Sequence, residues 1–431
     1  MVQQESNSNN SDALALNQAL VDGLRSKGYI HTPHVEAAFR AVLRHTFVPG
    51  VPLEEVYSDR VIPAKKGKSG KVLSSSSAPF VMAIMLEQLN LKPGHKVLEI
   101  GAGTGYNAAL MAHIVGQTGQ VVTVDIDQDL VDAAREHLVA AGFDRVQVVC
   151  ADGGYGYADA APYDRIILTV GAWDVTPSWW EQMKSDGRLV LPLTIAGQKS
   201  IAFEQKDDHL SSLSVRDCGF MPLRGAFADP RPRSVVQLGP DPGLEMWVGT
   251  ERSLDSERMC DWLIGPSRDW DAKATVAVHE IISGLLMWLA LHEPNGGRMV
   301  AWDEMVERDI VPPLIGLGGK RKMVFTPVLL GETGLAALMR PPGQPAPLVD
   351  YNELFTPGPP FALFVRQFGA DESLAQRLIA RIQAWDTAGR PSSDGLHIRA
   401  YRKDCDYVPS ESDIVVEKRW TQLVLDWPTE A

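Results

Sequence analysis

The chain has 431 residues, 45% hydrophobic and 22% charged, which is enough for two or three folded domains. Its formal net charge is −13, from 41 basic and 54 acidic residues, and this argues against a nucleic-acid-binding surface. The four cysteines form no Cys-x-x-Cys pair, so neither a zinc module nor a disulfide framework is expected. No segment is apolar over the length that spans a bilayer, and we expect a cytoplasmic enzyme without metal, nucleic-acid or membrane partners.

The N-terminal part predicts a tail followed by a small helical cap. Residues 1–11 are polar and rich in Asn and Ser, which predicts a disordered tail. Apolar residues then recur at helical spacing in 13–25 and 34–43.

A lysine-rich segment and a run of serines follow. We call residues 64–71 the lysine loop, since it contains Lys65, Lys66, Lys68 and Lys71. On an acidic protein this loop could steer an acidic peptide towards a cleft, or it could be a solvated mobile loop. A helix is predicted from Pro79 to about residue 89, with Ser77 as its N-cap.

From Lys96 onwards, short apolar runs alternate with amphipathic segments, which is typical of a parallel sheet covered by helices on both faces. The predicted strands are 96–100, 121–125, 146–151, 164–170 and 188–193. The predicted helices are 106–115, 129–141 and about 177–184. Period-two patterns predict two closing strands at 200–204 and 211–217. The expected fold class is therefore α/β, with a doubly wound, mostly parallel sheet.

Near residue 229 the alternation stops, and Pro/Gly-rich segments predict a domain boundary. We expect a first domain over 12–228 and a C-terminal α+β extension over 229–431, suited to substrate recognition. In the extension, helical patterns occur at 274–292 and 373–385, and strand patterns at 396–401 and 413–427.

The most informative motif joins a buried strand, an acidic strand end and a glycine turn that opens a helix. Its key residues are Glu99, Gly101, Gly103 and Gly105. A dinucleotide fingerprint requires glycine where this chain has Tyr106, and it places a pyrophosphate at the helix start. An acidic residue followed by Gly-x-Gly-x-Gly instead suits S-adenosylmethionine, which has no phosphate. The glycines let the backbone pass close to this cofactor.

Further carboxylates follow the next two strands. Asp125 is predicted to accept hydrogen bonds from both ribose hydroxyls of the cofactor, although Asp127 could take this role or N-cap the next helix. Asp152 and Gly153 are placed to meet the adenine amine, although an Asp-Gly pair alone is more often a turn.

Several segments together resemble the protein-L-isoaspartate O-methyltransferases over about residues 13–226. These segments are 44–49, 77–79, 97–107, 152–153, 163–169, 187–192 and 220–223. The resemblance implies a class I S-adenosylmethionine-dependent methyltransferase fold and a carboxyl group on a peptide or protein as the methyl acceptor. An aspartyl or isoaspartyl carboxylic acid ordinarily has a pKa near ~4, so it is already ionised at neutral pH and no general base is needed.

The resemblance also implies an acceptor site. In the family, a Thr-x-Ser segment contacts the substrate carboxylate and the cofactor, and its counterpart here is the segment 75–77. Ser77 matches the family serine, whereas Ser75 replaces the family threonine, which keeps a hydroxyl and loses a methyl group. Ser77, Ser75 and Thr169 are the predicted orienters of the acceptor.

The extension beyond residue 226 is unusual, because enzymes that repair isoaspartate are usually single-domain proteins. The whole layout resembles longer actinobacterial members associated with ribosomally made, modified peptides such as lanthipeptides. The leading hypothesis is methylation of an aspartate in a cyclised precursor peptide, giving aspartimide and then isoaspartate. The alternatives are an isoaspartyl repair enzyme with an accessory domain and a non-catalytic binding protein that keeps the fold.

Overall fold

A computed structural model describes residues 2–68, 70–231, 234–249, 254–293, 295–410 and 413–428. The chain divides into two compact units. The first unit contains Met1–Asp229 and His397–Asp426, and the second contains Pro230–Leu396 and Trp427–Ala431. Among the described residues, no helix combines the length and the apolar character needed to cross a bilayer.

The first stretch of the first unit contains seven α-helices and nine strands among its described residues. The helices are α1 Val2–Ser26, α2 Pro33–Ala41, α3 Leu53–Val56, α4 Pro79–Leu89, α5 Tyr106–Val115, α6 Gln128–Ala140 and α7 Pro177–Glu181. The strands are β1 Ile62–Lys66, β2 Val72–Ser76, β3 Lys96–Ile100, β4 Gln120–Asp125, β5 Gln147–Cys150, β6 Tyr163–Leu168, β7 Met183–Thr194, β8 Gln198–Gln205 and β9 His209–Asp217.

The second unit follows, and three final strands then return to the first. Strands of the second unit are β10 Ser234–Gln237, β11 Leu244–Val248, β12 Ser267–Val276, β13 Gly296–Trp302, β14 Ile315–Leu317, β15 Met323–Leu330, β16 Gly334–Met339, β17 Leu348–Val349 and β18 Phe361–Gly369. Its helices are α8 Ser256–Ile264, α9 Val278–Glu280, α10 Leu286–His292, α11 Glu304–Glu307 and α12 Glu372–Thr387. The final strands are β19 His397–Arg402, β20 Ile414–Glu417 and β21 Thr421–Asp426.

The main sheet of the first unit has the order β20-β21-β19-β9-β8-β7-β6-β3-β4-β5. The strands from β7 to β5 pair in parallel, and the strands from β8 to β20 continue the sheet in antiparallel fashion. The predicted α/β class with a doubly wound parallel core is confirmed. Because β3 lies between β4 and β6, the chain leaves β3 towards one side and later crosses to the other, and ligands in such sheets bind beyond this switch point.

Three N-terminal features differ from their predictions. Helix α1 begins at Val2, inside the segment predicted to be a disordered tail; no Gly or Pro interrupts the chain there. The lysine loop and the serines form an antiparallel hairpin of β1 and β2, in which Pro63 pairs with Ser75. The N-cap position of α4 belongs to Ala78, and the carboxylate of Asp59 accepts a hydrogen bond from the first-turn amide of Phe80 at 2.9 Å.

The C-terminal part differs from the predicted extension over 229–431. Residues 397–426 do not belong to the second unit, because β19 pairs with the outer edge of β9 and thereby extends the first sheet. The predicted strand over 413–427 is a hairpin of β20 and β21. The second unit is therefore an insertion between two parts of the first unit, and its predicted role in substrate recognition remains a proposal.

The returning strands are anchored at Asp174, in the loop that follows β6. The Asp174 side chain is buried and accepts hydrogen bonds from the hydroxyl of Thr421 at 2.5 Å and the amide of Trp420 at 2.7 Å. Its neighbour Val175 donates a third bond at 2.8 Å. Burial raises the pKa of Asp174, which these three donors partly oppose. The hairpin of β20 and β21 is thus fixed to this loop.

We expect Asp174→Ala to destabilise the first unit by about 2–4 kcal/mol, because it leaves buried donors of the hairpin turn unpaired. Urea unfolding should show this loss, and hydrogen exchange should show faster exchange in β20 and β21. The exposed residue Asp207 offers a matched control, and Asp207→Ala should leave both measurements unchanged. Equal stability of the Asp174→Ala variant and the parent would contradict this anchoring role.

Candidate active site

A cleft opens in the first unit where β3, β4 and β6 end. It encloses about 1100 Å³, including its open mouth. The predicted site residues that line it are Ser75, Ser77, Gly101, Gly103, Asp125, Gly153 and Thr169. Glu99, Gly105 and Asp152 are not among its lining residues. The sequence prediction therefore contains two sets of residues, one that faces the cleft and one that supports it.

The glycine turn after β3 runs along the floor of the cleft. Gly101 and Gly103 have φ angles of 103° and 53°, in the left-handed region that favours glycine. A Cβ on Gly101 would also lie 2.6 Å from the hydroxyl oxygen of Thr169, which is far too close. Gly105 faces away from the cleft, since a Cβ there would contact α6 at the carbonyl of Ala134.

Glu99 supports this turn from below. Its side chain is completely buried, and its two oxygens accept hydrogen bonds from the Thr123 hydroxyl at 2.6 Å and the Asn107 amide at 2.8 Å. Burial raises the pKa of Glu99 to about 7, against the effect of these two donors. Glu99 thus joins β3 to β4 and to α5, which begins immediately after the turn.

The structure separates the roles of the two aspartates after β4. One oxygen of Asp125 accepts a hydrogen bond from the amide of Gly103 at 3.1 Å, and the carboxylate lines the cleft. Asp127 occupies the N-cap position of α6 without a side-chain capping bond. Its carboxylate instead binds Arg224 and Lys65, each at 2.8 Å. These partners, Arg224 first, hold the pKa of Asp127 below its usual range.

Asp152 is also occupied by the protein itself. Its oxygens accept hydrogen bonds from the amides of Gly154 at 2.9 Å and Ala226 at 2.7 Å. Asp152 therefore stabilises a local turn and binds the backbone of the segment 225–226. Gly153 is the member of the Asp-Gly pair that lines the cleft, where a Cβ would lie 2.4 Å from Ile100.

The predicted orienters of the acceptor have different surroundings. The Thr169 hydroxyl donates to the carbonyl of Gly101 at 2.7 Å, and since a hydroxyl has one proton, it is not free to donate to a carboxylate. Ser75 and Ser77 line the cleft, and their hydroxyls make no hydrogen bond to any residue that the structure describes. These two serines can therefore donate to an acceptor, while Thr169 positions the glycine turn.

Sequence reasoning did not assign a role to Arg44. Its guanidinium is fully buried and donates to backbone carbonyls of two segments, those of Val56 (2.8 Å) and Arg60 (3.0 Å) before β1 and that of Ser77 (2.9 Å) after β2. It also reaches the Ser76 hydroxyl at 3.3 Å. Burial lowers the pKa of Arg44. Arg44 thereby fixes the backbone that carries Ser77, although its sequence context gives no signal of burial.

A second unpredicted contact involves Arg224, which lines the cleft. Lys65 in β1 and Arg224 both bind Asp127, and Lys65 also binds Asp129 at 2.6 Å. Lys65 therefore lies in a strand and is held in an ion-pair network, so it is not a free steering charge. A lysine-rich segment alone gives no information about which carboxylates it will meet.

Comparisons with known proteins agree with this geometry. Residues 15–227 match the family model described as protein-L-isoaspartate(D-aspartate) O-methyltransferase. A protein-L-isoaspartate O-methyltransferase of Methanopyrus kandleri is 40% identical over 220 residues, which are 50% of this chain and 95% of that protein. One of Hyperthermus butylicus is 38% identical over 218 residues, 48% of this chain and 88% of that protein.

The chain belongs to the protein-L-isoaspartate O-methyltransferase family. It is an S-adenosylmethionine-dependent protein carboxyl O-methyltransferase, and the predicted family, class I fold and cofactor are confirmed. A solved structure of a protein with the family's name has a TM-score of 0.47 and 22% identity, covering 89% of this chain and 96% of the other.

The cleft of this methyltransferase fits S-adenosylmethionine. Gly101 and Gly103 present backbone without side chains, and Asp125 presents a carboxylate suited to ribose hydroxyls. Apolar side chains complete the lining around them, including Ile100, Val124, Ile126 and Leu130. We propose that Gly101, Gly103, Asp125 and Gly153 hold the cofactor, while Glu99, Gly105 and Asp152 act by supporting them.

We expect Asp125→Ala to weaken binding of S-adenosylhomocysteine by roughly 10- to 100-fold, the effect of losing charge-assisted hydrogen bonds to a ligand. Isothermal titration calorimetry would measure this change. Asp132→Ala, an exposed change on α6, is the matched control and should bind like the parent protein. Parent-like affinity of the Asp125→Ala variant would remove Asp125 from the cofactor site.

The raised pKa of Glu99 predicts how the stability of the protein depends on pH. Its pKa is about 7 in the folded protein and 4.5 as its ordinary value, so the folded state holds this proton more tightly. The free energy of unfolding should therefore fall as the pH rises from about 4.5 to about 7, by up to about 3 kcal/mol from this group. Glu99→Gln should remove that component. Denaturation at several pH values checks this, and identical pH profiles would contradict it.

Proposed function

We propose that this methyltransferase esterifies an aspartate side chain in a cyclised, ribosomally made precursor peptide. The observation that supports this proposal is the second unit, inserted between two parts of the methyltransferase unit. Residues 230–396 lie outside the range 15–227 that matches the family. Recognition of one constrained peptide requires more specific contacts than recognition of many flexible chains, and an additional unit can supply them.

The acceptor carboxylate is ionised at neutral pH and needs orientation rather than deprotonation. When bound, S-adenosylmethionine supplies an electrophilic methyl group, which the carboxylate oxygen receives as an ester, leaving S-adenosylhomocysteine. Ser75 and Ser77 donate hydrogen bonds to the acceptor oxygens. Because Arg44 holds the Ser77 carbonyl in place, the serine is oriented before the acceptor binds.

Esterification prepares the next reaction of the peptide. An ionised carboxylate would have to expel an oxide dianion, whereas its methyl ester expels methoxide, which is a far better leaving group. The amide nitrogen of the following residue can therefore attack the ester carbonyl. The new C–N bond closes a succinimide while the C–O bond breaks, and the amide proton leaves with methoxide as methanol. Water then opens the ring to aspartate or isoaspartate.

A second candidate function is the methylation of isoaspartyl residues in damaged proteins. It is favoured by a relative that is named for this activity. That relative is 40% identical to this chain, and the match covers 95% of the relative's length. In this case the second unit would serve a purpose other than recognition of one peptide. The two functions share the cofactor and the acceptor chemistry, and they differ in the carboxylate that is accepted.

Intact-mass spectrometry can distinguish the two functions. The purified full chain is incubated with S-adenosylmethionine and either a linear isoaspartyl peptide or cyclised peptides that contain ordinary aspartate. The proposal expects gain of a methyl group on a cyclised aspartyl peptide, followed by loss of methanol. Efficient methylation of the isoaspartyl peptide, with no reaction of any cyclised peptide, would instead establish the second candidate.

We expect Ser77→Ala to lower kcat by about 10- to 100-fold, because the acceptor loses an oriented donor. Binding of S-adenosylhomocysteine should be unchanged, since the variant keeps the backbone that Arg44 contacts. Ser77→Thr is the conservative control and should retain most of the activity through its hydroxyl. Unchanged turnover by Ser77→Ala would exclude Ser77 from the mechanism.

A further inference from the structure

A second concave surface on the first unit lies outside the cleft that contains the candidate active site. We call it the tryptophan groove, and it encloses about 520 Å³ including its mouth. Its main lining residues are Trp180 of α7, Trp420 and Arg419 between β20 and β21, Arg402 at the end of β19 and Lys403 after it. Most of these residues come from the returning strands, which lie beyond the range that matches the family.

The aromatic wall of the groove is fixed in place. The Trp420 ring lies 5.4 Å from Trp173 and 5.1 Å from Phe227 between ring centroids. The Trp420 amide is bound by Asp174, and the Trp173 indole donates to the carbonyl of Phe227 at 2.9 Å. An aromatic surface held in this way can bind an apolar side chain without first being ordered.

Arg419 differs from the other cations of the groove. Arg402 is paired with Asp404 by two contacts of 3.1 and 3.2 Å, and Lys403 binds Glu417 at 2.7 Å. Arg419 is exposed, its guanidinium lies 5.1 Å from the Trp420 ring, and it meets no carboxylate of the described residues within ion-pair distance. The groove thus offers one available cation beside an aromatic wall.

The groove and the cleft lie on the same loop. Thr169 lines the cleft and Val175 lines the groove, and they are six Cα-to-Cα steps apart along the chain. Consecutive Cα atoms are 3.8 Å apart, so the Cα atoms of these two residues lie within about 23 Å. An extended peptide of about seven residues covers this distance.

We propose that the tryptophan groove binds an acidic segment of the peptide substrate that also contains an aromatic or other apolar residue. A substrate carboxylate pairs with Arg419, and the neighbouring apolar side chain packs against Trp180 and Trp420. The segment lies within about seven residues of the aspartate that is methylated. This inference rests on the proposed peptide substrate and adds a second binding site for it. The net charge of −13 disfavours nucleic acid as the ligand.

Fluorescence anisotropy tests the groove without requiring catalysis. The probe is a fluorescein-labelled peptide of Asp, Glu and Phe, compared with its Asn, Gln and Phe counterpart. The full chain should bind the acidic peptide, and Arg419→Glu should weaken that binding by ~10-fold or more, as for one charge-assisted contact. Lys206→Glu makes the same charge change at another exposed residue of the first unit and should have no effect.

Three results would overturn the inference. The first is equal binding of the acidic peptide by the Arg419→Glu and Lys206→Glu variants. The second is stronger competition by a single-stranded oligonucleotide than by unlabelled acidic peptide. The third is self-association that Arg419→Glu abolishes in sedimentation experiments, which would make the groove an interface between copies of this chain.

Kinetics then separate this inference from the proposed function. An acceptor peptide is prepared with and without an acidic segment about seven residues from its aspartate. Arg419→Glu should raise KM for the longer peptide by ~10-fold and leave the shorter one unchanged, with kcat unaffected. Suppose that neither peptide is methylated while the acidic probe still binds through Arg419. The proposed peptide-methylating function is then contradicted, and the proposed binding role of the tryptophan groove is supported. Equal KM values of the variant and the parent for the longer peptide would contradict only the proposed binding role of the groove.

Discussion

The acceptor side of the cleft depends on the buried guanidinium of Arg44. Removing a cation from water costs free energy. The carbonyl oxygens of two segments stabilise this one, and no carboxylate of the described residues forms an ion pair with it. The same bonds join the chain before β1 to the chain after β2. These segments therefore cannot move independently, and the serines that face the cleft occupy defined positions. Orientation of an acceptor begins with this contact.

The parallel core was predictable because its signals are local. The bounds of α4, β3 and α5 agree with the predictions, since apolar runs, Pro79 and the glycine turn mark them. The hairpin of β1 and β2 lacks such signals, because its lysines and serines are largely exposed or half-buried. Residues 397–426 join the first sheet because β19 pairs with β9, nearly two hundred residues earlier in the chain. A local sequence pattern does not indicate such a distant partner.

In the site, too, some positions follow from local sequence signals, whereas others depend on contacts between distant segments. The positions of Gly101, Gly103 and Asp125 follow from where β3 and β4 end, which the sequence indicates. Residue type does not reveal whether a carboxylate faces ligand or protein, and Glu99 and Asp152 both bind protein donors. The ion pairs of Asp127 with Lys65 and Arg224 connect distant segments. They become visible only when the fold brings those segments together.

The pairing of β19 with β9 has a consequence for fragments of this protein. A fragment that ends at residue 229 contains the whole range that matches the family, yet its β9 has lost its neighbour. The backbone of 209–211, which pairs with β19, would then be exposed, and unpaired edges of this kind recruit strands from other molecules. A minimal methyltransferase cut at the family boundary should therefore aggregate. A soluble one would have to retain 397–426, joined to residue 229 by a linker in place of the insertion.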